Sequence, residues 1–305
     1  MVLVRTATGL NRGPRSDSKE SHCVIDLHMH TTASDGMSTP EMLVESAWQA
    51  GIRTMSVTDH DTVASVGPAT VAAATHGMTV VPGIEITAVH DGRDVHVLAY
   101  FLPPDAPRLQ ELLMTQRRNR VERAKEIAHR LAALGVPIDV APLIDGVAKT
   151  GGKALARPQI ARALIAAGHV GSIAEAFDVY LSEDRPAYVP HRGSSPRDVV
   201  ELVASAGGLA ALAHPGRLKK DEVIPSLVAA GLGAIEAFHS SHDTAAQEHY
   251  LALAERYGTG VSGGSDYHGE GMRGSEFFGV TNLPAAYFED LVARAASARS
   301  AVAAR

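Results

Sequence analysis

VIDLHMHTTASDG, from Val24 to Gly36, alternates apolar and polar residues before running into a small-residue loop. Side chains of a strand point alternately to its two faces, so Asp26, His28 and His30 share one face while Ile25, Leu27 and Met29 line the other. One face is fit for burial; the other is a row of ligand-competent groups.

Working outward, short apolar runs recur along the chain as VIDLHMH, RTMSVT, MTVVPGIEI, DVHVLAYF, GLAALAH, GAIEAF and GTGVSGGS, seven candidate strands with helical patterns between them. That rhythm predicts a parallel α/β architecture with strand and helix alternating from residue 24 onward. PEMLVESAWQAG reads as a helix opened by Ser38, Thr39 and Pro40 and closed by Gly51. Between about 105 and 199 the pattern becomes helix after helix, beginning with Leu109 to Leu134, whose Leu109, Leu112, Leu113, Val121, Ala124, Ala128 and Leu131 keep roughly helical spacing. The expected organisation is therefore a polar, mobile tail at 1–22, a barrel formed by 23–104 and 200–290, a helical insertion at 105–199, and a helical C-terminal tail at 291–305.

The chain has 305 residues, 45% hydrophobic and 20% charged, an ordinary globular composition. Its 28 basic and 34 acidic residues give a formal charge of −6, which argues against coating of duplex DNA or an anionic membrane. The lone cysteine, Cys23, excludes an intramolecular disulfide and thiolate clusters, so histidine and carboxylate are the available metal ligands and a reducing cytoplasm is expected. No run approaches a membrane helix, and the first residues lack the apolar core of a signal peptide. The basic run QRRNRVERAK reads by default as a solvated helix face.

Metal-competent residues stand at or just after the ends of the apolar runs: His28, His30, His60, Glu85, His96, His214, Asp266 and His268, with Asp35 in the TASDG loop. In parallel barrels the reactive residues come from the C-terminal ends of several strands. Six histidines, two aspartates and one glutamate exceed what a single ion can take, so two or three divalent ions are implied. All-N/O donors rich in imidazole suit Mn²⁺, Zn²⁺ or Fe²⁺ better than Mg²⁺ or Ca²⁺. Adjacent divalent ions clamp the attacking and leaving oxygens of a displacement, which points to phosphoester hydrolysis.

DLHMHTTASDG, TDHDT, GIEI, VHVL, AHPGR and GSDYH, in this order, resemble the motifs of the PHP (polymerase and histidinol phosphatase) superfamily of metal-dependent phosphoesterases, over residues 24 to about 280. The resemblance implies a distorted (β/α)7 barrel with an inserted helical subdomain and a trinuclear centre, Mn²⁺ being the expected metal. It places His28, His30 and Asp266 on one ion, bridged by Glu85 to a second that His96 and His214 complete, and Asp35, His60 and His268 on a third. Glu85, Asp266 and His214 then stand nearest the chemistry as catalytic residues. Asp26, Asp59 and Asp61 are expected to orient imidazoles, with turn and strand-end hydrogen bonding the other reading.

Within that superfamily the insertion, RPQIARAL, YLSEDRPAYVP and the AHPGR arginine resemble the 3′,5′-nucleoside bisphosphate phosphatase group, whose bacterial members include 5′-to-3′ exoribonucleases. Those enzymes remove a 3′ phosphate or nucleotide while the insertion holds a 5′ phosphate. The resemblance makes Arg157 and Arg217 the leading phosphate contacts, remote from the metals, with Arg117, Arg120, Lys153 and His191 behind them; the guanidinium fork suits the task. Gln159 stands where that group carries histidine. The expected partners are a nucleotide or short RNA, with the oligomeric state left open and a monomer compatible. The alternatives are a phosphatase for a phosphomonoester of the histidinol phosphate type and a non-catalytic metal-binding barrel.

Overall fold

The computed structural model describes residues 23–149 and 152–303; the segment 1–22, expected to be a mobile tail, lies outside the described residues. Seven strands, β1 (Val24–Met29), β2 (Ile52–Val57), β3 (Thr79–His90), β4 (Arg93–Tyr100), β5 (Leu209–Leu212), β6 (Ala234–His239) and β7 (Gly260–Gly264), pair in chain order. A bridge between Met29 and Tyr267 brings the last strand back beside the first, so the sheet is a nearly closed, distorted (β/α)7 barrel. Closure demands glycine at Gly264, where a Cβ would overlap the backbone nitrogen and Cβ of His28.

Helices α1 (Pro40–Gln49) and α2 (Val66–Ala74) connect the first strands. Thr39 caps α1 by accepting from the Met42 N–H, Pro40 sits at its start, and Gly51 follows with φ of 86°, as the sequence signals require. The expected alternation fails next: β3 turns directly into β4 through Asp91 and Gly92, both with positive φ. β4 is therefore antiparallel to both β3 and β5. A turn of two residues leaves no room for the crossover that a parallel neighbour needs.

Between β4 and β5 lie α3 (Pro107–Ala133), α4 (Ala141–Lys149), α5 (Arg157–Ala166), the short α6 (Ile173–Ala176) and α7 (Pro196–Ser205). The 27 residues of α3 span about 40 Å. Its first turns bury Leu109 and Leu113 in the barrel core, and its last turns bury Ala124, Ile127 and Leu131 in a separate cluster with Leu155, Ile160, Leu164 and Leu181. The same stripe buries Gln116, Arg120 and Arg123 at its middle, so the basic run is not simply a solvated face.

The chain finishes with α8 (Pro215–Leu218), α9 (Ile224–Ala229), α10 (Thr244–Tyr257) and α11 (Ala285–Ala303). The last helix begins six residues before the expected tail and places Leu291 and Ala295 in the barrel core, because its apolar stripe packs on β7. Among the described residues no helix is long and apolar enough to cross a membrane.

Candidate metal centre and arginine cleft

At the barrel mouth the nine expected ligands converge. His28 and His30 leave β1 side by side, with ring centroids 5.3 Å apart. Each Glu85 oxygen faces its own set of imidazoles: Oε2 lies 3.3 Å from His28 Nε2, 3.2 Å from His30 Nε2 and 3.1 Å from His60 Nδ1. Oε1 lies 2.7 Å from His96 Nδ1 and 3.0 Å from His214 Nε2. Asp266 Oδ1 approaches His28 and His30 at 3.5 and 3.3 Å, while Asp35 lies 3.4 Å from His268 and 3.9 Å from His60. His96 reaches the mouth although it sits near the start of its strand, because β4 runs against its neighbours.

The donors fit a multinuclear centre. Buried polar atoms are normally hydrogen-bonded, yet His28 Nε2, His30 Nε2, His60 Nδ1, Glu85 Oε2, His96 Nδ1, Asp266 Oδ1 and His268 Nε2 have no hydrogen-bond partner. Among the described residues four overlapping groups of mutually close atoms could each hold an ion, three of them made of expected ligands alone: His30, Asp35, His60 and His268; His28, His30, Glu85 and Asp266; His60, Glu85 and His96; the fourth is His28, Glu236 and His239. The grouping differs from the expected one, since His60 joins Glu85 and His96, and His214 meets Glu85 without entering a group. Burial opposes ionisation of Asp35, Glu85 and Asp266, yet neighbouring imidazoles, and Arg273 at Asp266, hold all three well below the carboxylate range. Burial likewise opposes charge on His30, but Asp266 and Glu85 raise its imidazole to about 10. The site therefore favours positive charge. His214, with φ of 28°, and Asp266, with φ of 56°, adopt backbone conformations unusual for non-glycine residues, as active sites often impose.

A cleft leads from this mouth into the insertion. Asp35, His60, His96 and Arg273 line one end, and Asp94, Arg123, Arg157 and His191 the other. Arg157 stacks over Phe177 and Tyr188 and makes only long contacts, 3.5 Å to Asp94 and 3.3 Å to the Leu181 carbonyl. Arg123 is buried, donates Nε to the Val189 carbonyl and Nη1 to His191, and leaves Nη2 unpaired. His191 donates Nδ1–H to Asp94 at 2.8 Å, the tautomer that frees Nε2 to accept from Arg123. Burial holds its imidazole down to about 3, so it is neutral near pH 7.

The PHP domain model matches residues 26–202. This chain belongs to the PHP domain family. It is 32% identical to the 3′,5′-nucleoside bisphosphate phosphatase of Chromobacterium violaceum over 85% of this chain and 92% of that one. It is 32% identical to the 5′-3′ exoribonuclease Rnm of Escherichia coli over 80% and 85% of the two chains. It is 35% identical to the phosphoribosyl 1,2-cyclic phosphate 1,2-diphosphodiesterase of Eggerthella lenta over 81% and 95%. A crystal structure from Bifidobacterium adolescentis, assigned as a metal-dependent phosphoesterase, superposes with a TM-score of 0.81 at 32% identity, covering 90% of this chain and 96% of that one. As a PHP phosphoesterase, the protein is a metal-dependent hydrolase.

The structure separates the expected phosphate contacts. Arg157, His191 and Arg120 line the cleft. Arg217 does not lie remote from the metal ligands: its Nη1 is 3.3 Å from Asp266 Oδ2, opposite Arg273 at 3.4 Å, because it follows His214 by only three residues. Arg120 is spent internally, on Asp61 at 2.6 Å, the Leu155 carbonyl and Thr87 Oγ1, and serves as a strut between insertion and barrel. Arg117 and Lys153 are half-buried and line none of this cleft. Of the three aspartates expected beside imidazoles, none bonds one. Asp26 accepts from the His28 and Ser265 N–H groups, and burial pushes its carboxyl up to about 6. Asp59 binds Thr31, Ser34 and Ser65, and Asp61 binds Arg120 and the Thr87 N–H.

The orienting carboxylate is Glu236, unmarked in the sequence reading: its Oε1 accepts from His28 Nδ1 at 2.9 Å and its Oε2 from the His214 N–H at 2.7 Å. Glu236 and His239 stand three residues apart in IEAFH, and the register shift between Glu236 and Phe238 brings both toward His28. His239 accepts from the Ser241 N–H at Nδ1, which puts its proton on Nε2, 3.5 Å from Asp266 Oδ2. That Nε2 is itself buried without a hydrogen-bond partner.

Proposed function

We propose that this metal-dependent phosphoesterase acts on nucleotides, removing the 3′ phosphate of 3′,5′-nucleoside bisphosphates to leave a nucleoside 5′-monophosphate, with short 5′-phosphorylated RNA as a related substrate. The observation that carries the reading is the single cleft lined at one end by the candidate metal ligands and at the other by Arg123 and Arg157. A substrate with phosphates at two separate places fits such a cleft; a simple phosphomonoester leaves half of it unused. The names of two relatives, a bisphosphate phosphatase and a phosphoribosyl cyclic phosphate diesterase, describe substrates of that kind.

His28, His30, Asp35, His60, Glu85, His96, His214, Asp266 and His268 would hold two to three divalent ions, Mn²⁺ best matching the donors, with Zn²⁺ or Fe²⁺ the alternatives. Bound ions would supply the Lewis acidity that polarises the phosphoester and acidifies water. Glu85, reaching imidazoles with both oxygens, balances adjacent positive charges. Glu236 fixes the His28 ring so that Nε2 points into the centre. Arg217 and Arg273, half-exposed beside Asp266, grip the scissile phosphate, and Arg123 with Arg157 holds the remote one. Holding both ends orients the reacting group for in-line attack.

A phosphate-release screen of the Mn²⁺-reconstituted protein tests this reading, across adenosine 3′,5′-bisphosphate, mononucleotides, phosphoribosyl 1,2-cyclic phosphate, histidinol phosphate and 5′-phosphorylated RNA. The bisphosphate should be turned over fastest; preference for histidinol phosphate would overturn the assignment. Metal analysis should find two to three ions per chain, and one or fewer would remove the multinuclear centre.

A further inference from the structure

The loop carrying Asp35 is held from outside the barrel. Three consecutive carbonyls, of Ala33, Ser34 and Asp35, accept hydrogen bonds from the insertion: from the Ala154 N–H at 2.9 Å, Gln159 Nε2 at 2.7 Å and Arg162 Nη2 at 3.2 Å. Thr62 Oγ1 donates back to the Gly152 carbonyl. The barrel's own contacts, from Asp59 and the Thr31 carbonyl, fix Thr31, Ser34 and the Gly36 N–H. The Ser34 and Asp35 carbonyls are left to two side chains of α5, Gln159 and Arg162.

Gln159 is set for this task. Its Oε1 accepts the Ala156 N–H at the start of α5, so its amide has one orientation, with Nε2 directed at Ser34. Asp35, at 3.4 to 3.9 Å from His30, His60 and His268, is the most loosely approached carboxylate of the mouth. A ligand on a free loop must be ordered when the ion binds, and a loop already held binds more tightly because that ordering is done in advance.

We propose that Gln159, together with Arg162, is a positioning residue for the cation held by His30, Asp35, His60 and His268, so that the insertion governs filling of that one position. The proposal rests on the multinuclear reading above. It assigns α5 a second role, because the same helix begins with Arg157 in the cleft.

The test is calorimetric titration of the metal-stripped full-length chain with Mn²⁺. Gln159→Glu is isosteric and still accepts from the Ala156 N–H, but presents an acceptor to the Ser34 carbonyl. One Mn²⁺ position should weaken by roughly tenfold, the scale set by one lost hydrogen bond and the repulsion that replaces it. The remaining ions should bind within about twofold of wild type, and the melting temperature of the metal-free protein should move by less than about 2 °C. Arg162→Met should act in the same direction. Superimposable isotherms with several ions bound would overturn the proposal alone, as would uniform weakening of every ion accompanied by a lowered metal-free melting temperature. A wild type that takes no more than one ion would remove the multinuclear reading and the proposal together.

Discussion

The barrel mouth and the arginine cleft are built on opposite principles. At the mouth, seven candidate ligand atoms are buried without hydrogen bonds and crowd around shared points, a donor set suited to positive charge. In the cleft, most donors are already committed. Arg120 uses Nε, Nη1 and Nη2 internally, whereas Arg123 keeps Nη2 free and Arg157 is held only by long contacts and ring faces. The difference teaches that unspent hydrogen-bonding capacity, more than charge or exposure, is what sets the arginines proposed to hold phosphate apart from the structural Arg120.

Four substitutions would break or sharpen that contrast. Glu85→Gln should have the largest effect, lowering kcat by about a thousandfold or more, since a neutral amide cannot balance adjacent cations. Circular dichroism should stay native; retention of more than about a tenth of wild-type turnover would make Glu85 structural. Arg120→Ala comes next and should act on stability, by about 3–5 kcal/mol, because it strands buried Asp61 without its cationic partner. Urea unfolding measures it, and equal proportional losses of kcat/KM on bisphosphate and monophosphate would support the strut. Arg157→Ala should lower kcat/KM for adenosine 3′,5′-bisphosphate by roughly 30-fold, about 2 kcal/mol, with little change for the 3′-monophosphate. Equal loss on both substrates would move Arg157 to the structural side of the comparison.

The smallest effect belongs to His191→Gln, which reproduces the neutral tautomer with an amide that donates to Asp94 and accepts from Arg123. The folded imidazole titrates near 3 and the unfolded one near 6.5. The unfolded chain therefore binds the extra proton first, and wild type loses stability as pH falls from about 6.5 toward 3. Chemical denaturation at pH 7 and pH 5 should show a smaller acid penalty for the variant, with activity at pH 7 within a few-fold of wild type. An identical pH dependence would show that His191 is not held neutral.

The mouth was legible because its chemistry is concentrated in residues that sit at run ends, and the six motifs kept their order. The antiparallel β4 was hidden: DVHVLAYF carries no mark of direction, and only the two-residue link through Asp91 and Gly92 betrays it. Glu236 was hidden because a glutamate in an apolar strand gives no sign of whether it meets metal, imidazole or solvent. The burial of Arg120 and Arg123 was hidden in the same way inside QRRNRVERAK, because apolar spacing alone does not show that the buried stripe of α3 passes through Gln116, Arg120 and Arg123. What distinguishes them is the partner across the fold, Asp61 or His191, some 59 and 68 residues distant in the chain.

The insertion departs and returns at one place. Tyr100 at the end of β4 pairs with Leu209 at the start of β5, and a Cβ on Gly208 would lie 3.0 Å from Leu102. The whole helical insertion is therefore a cassette hung on a single antiparallel corner, and exchanging it between related barrels requires two cuts at neighbouring points with no change of strand register. A transplanted cassette would still have to find its sockets on the host: an acidic partner at position 61 for Arg120, and carbonyls at 33 to 35 facing outward.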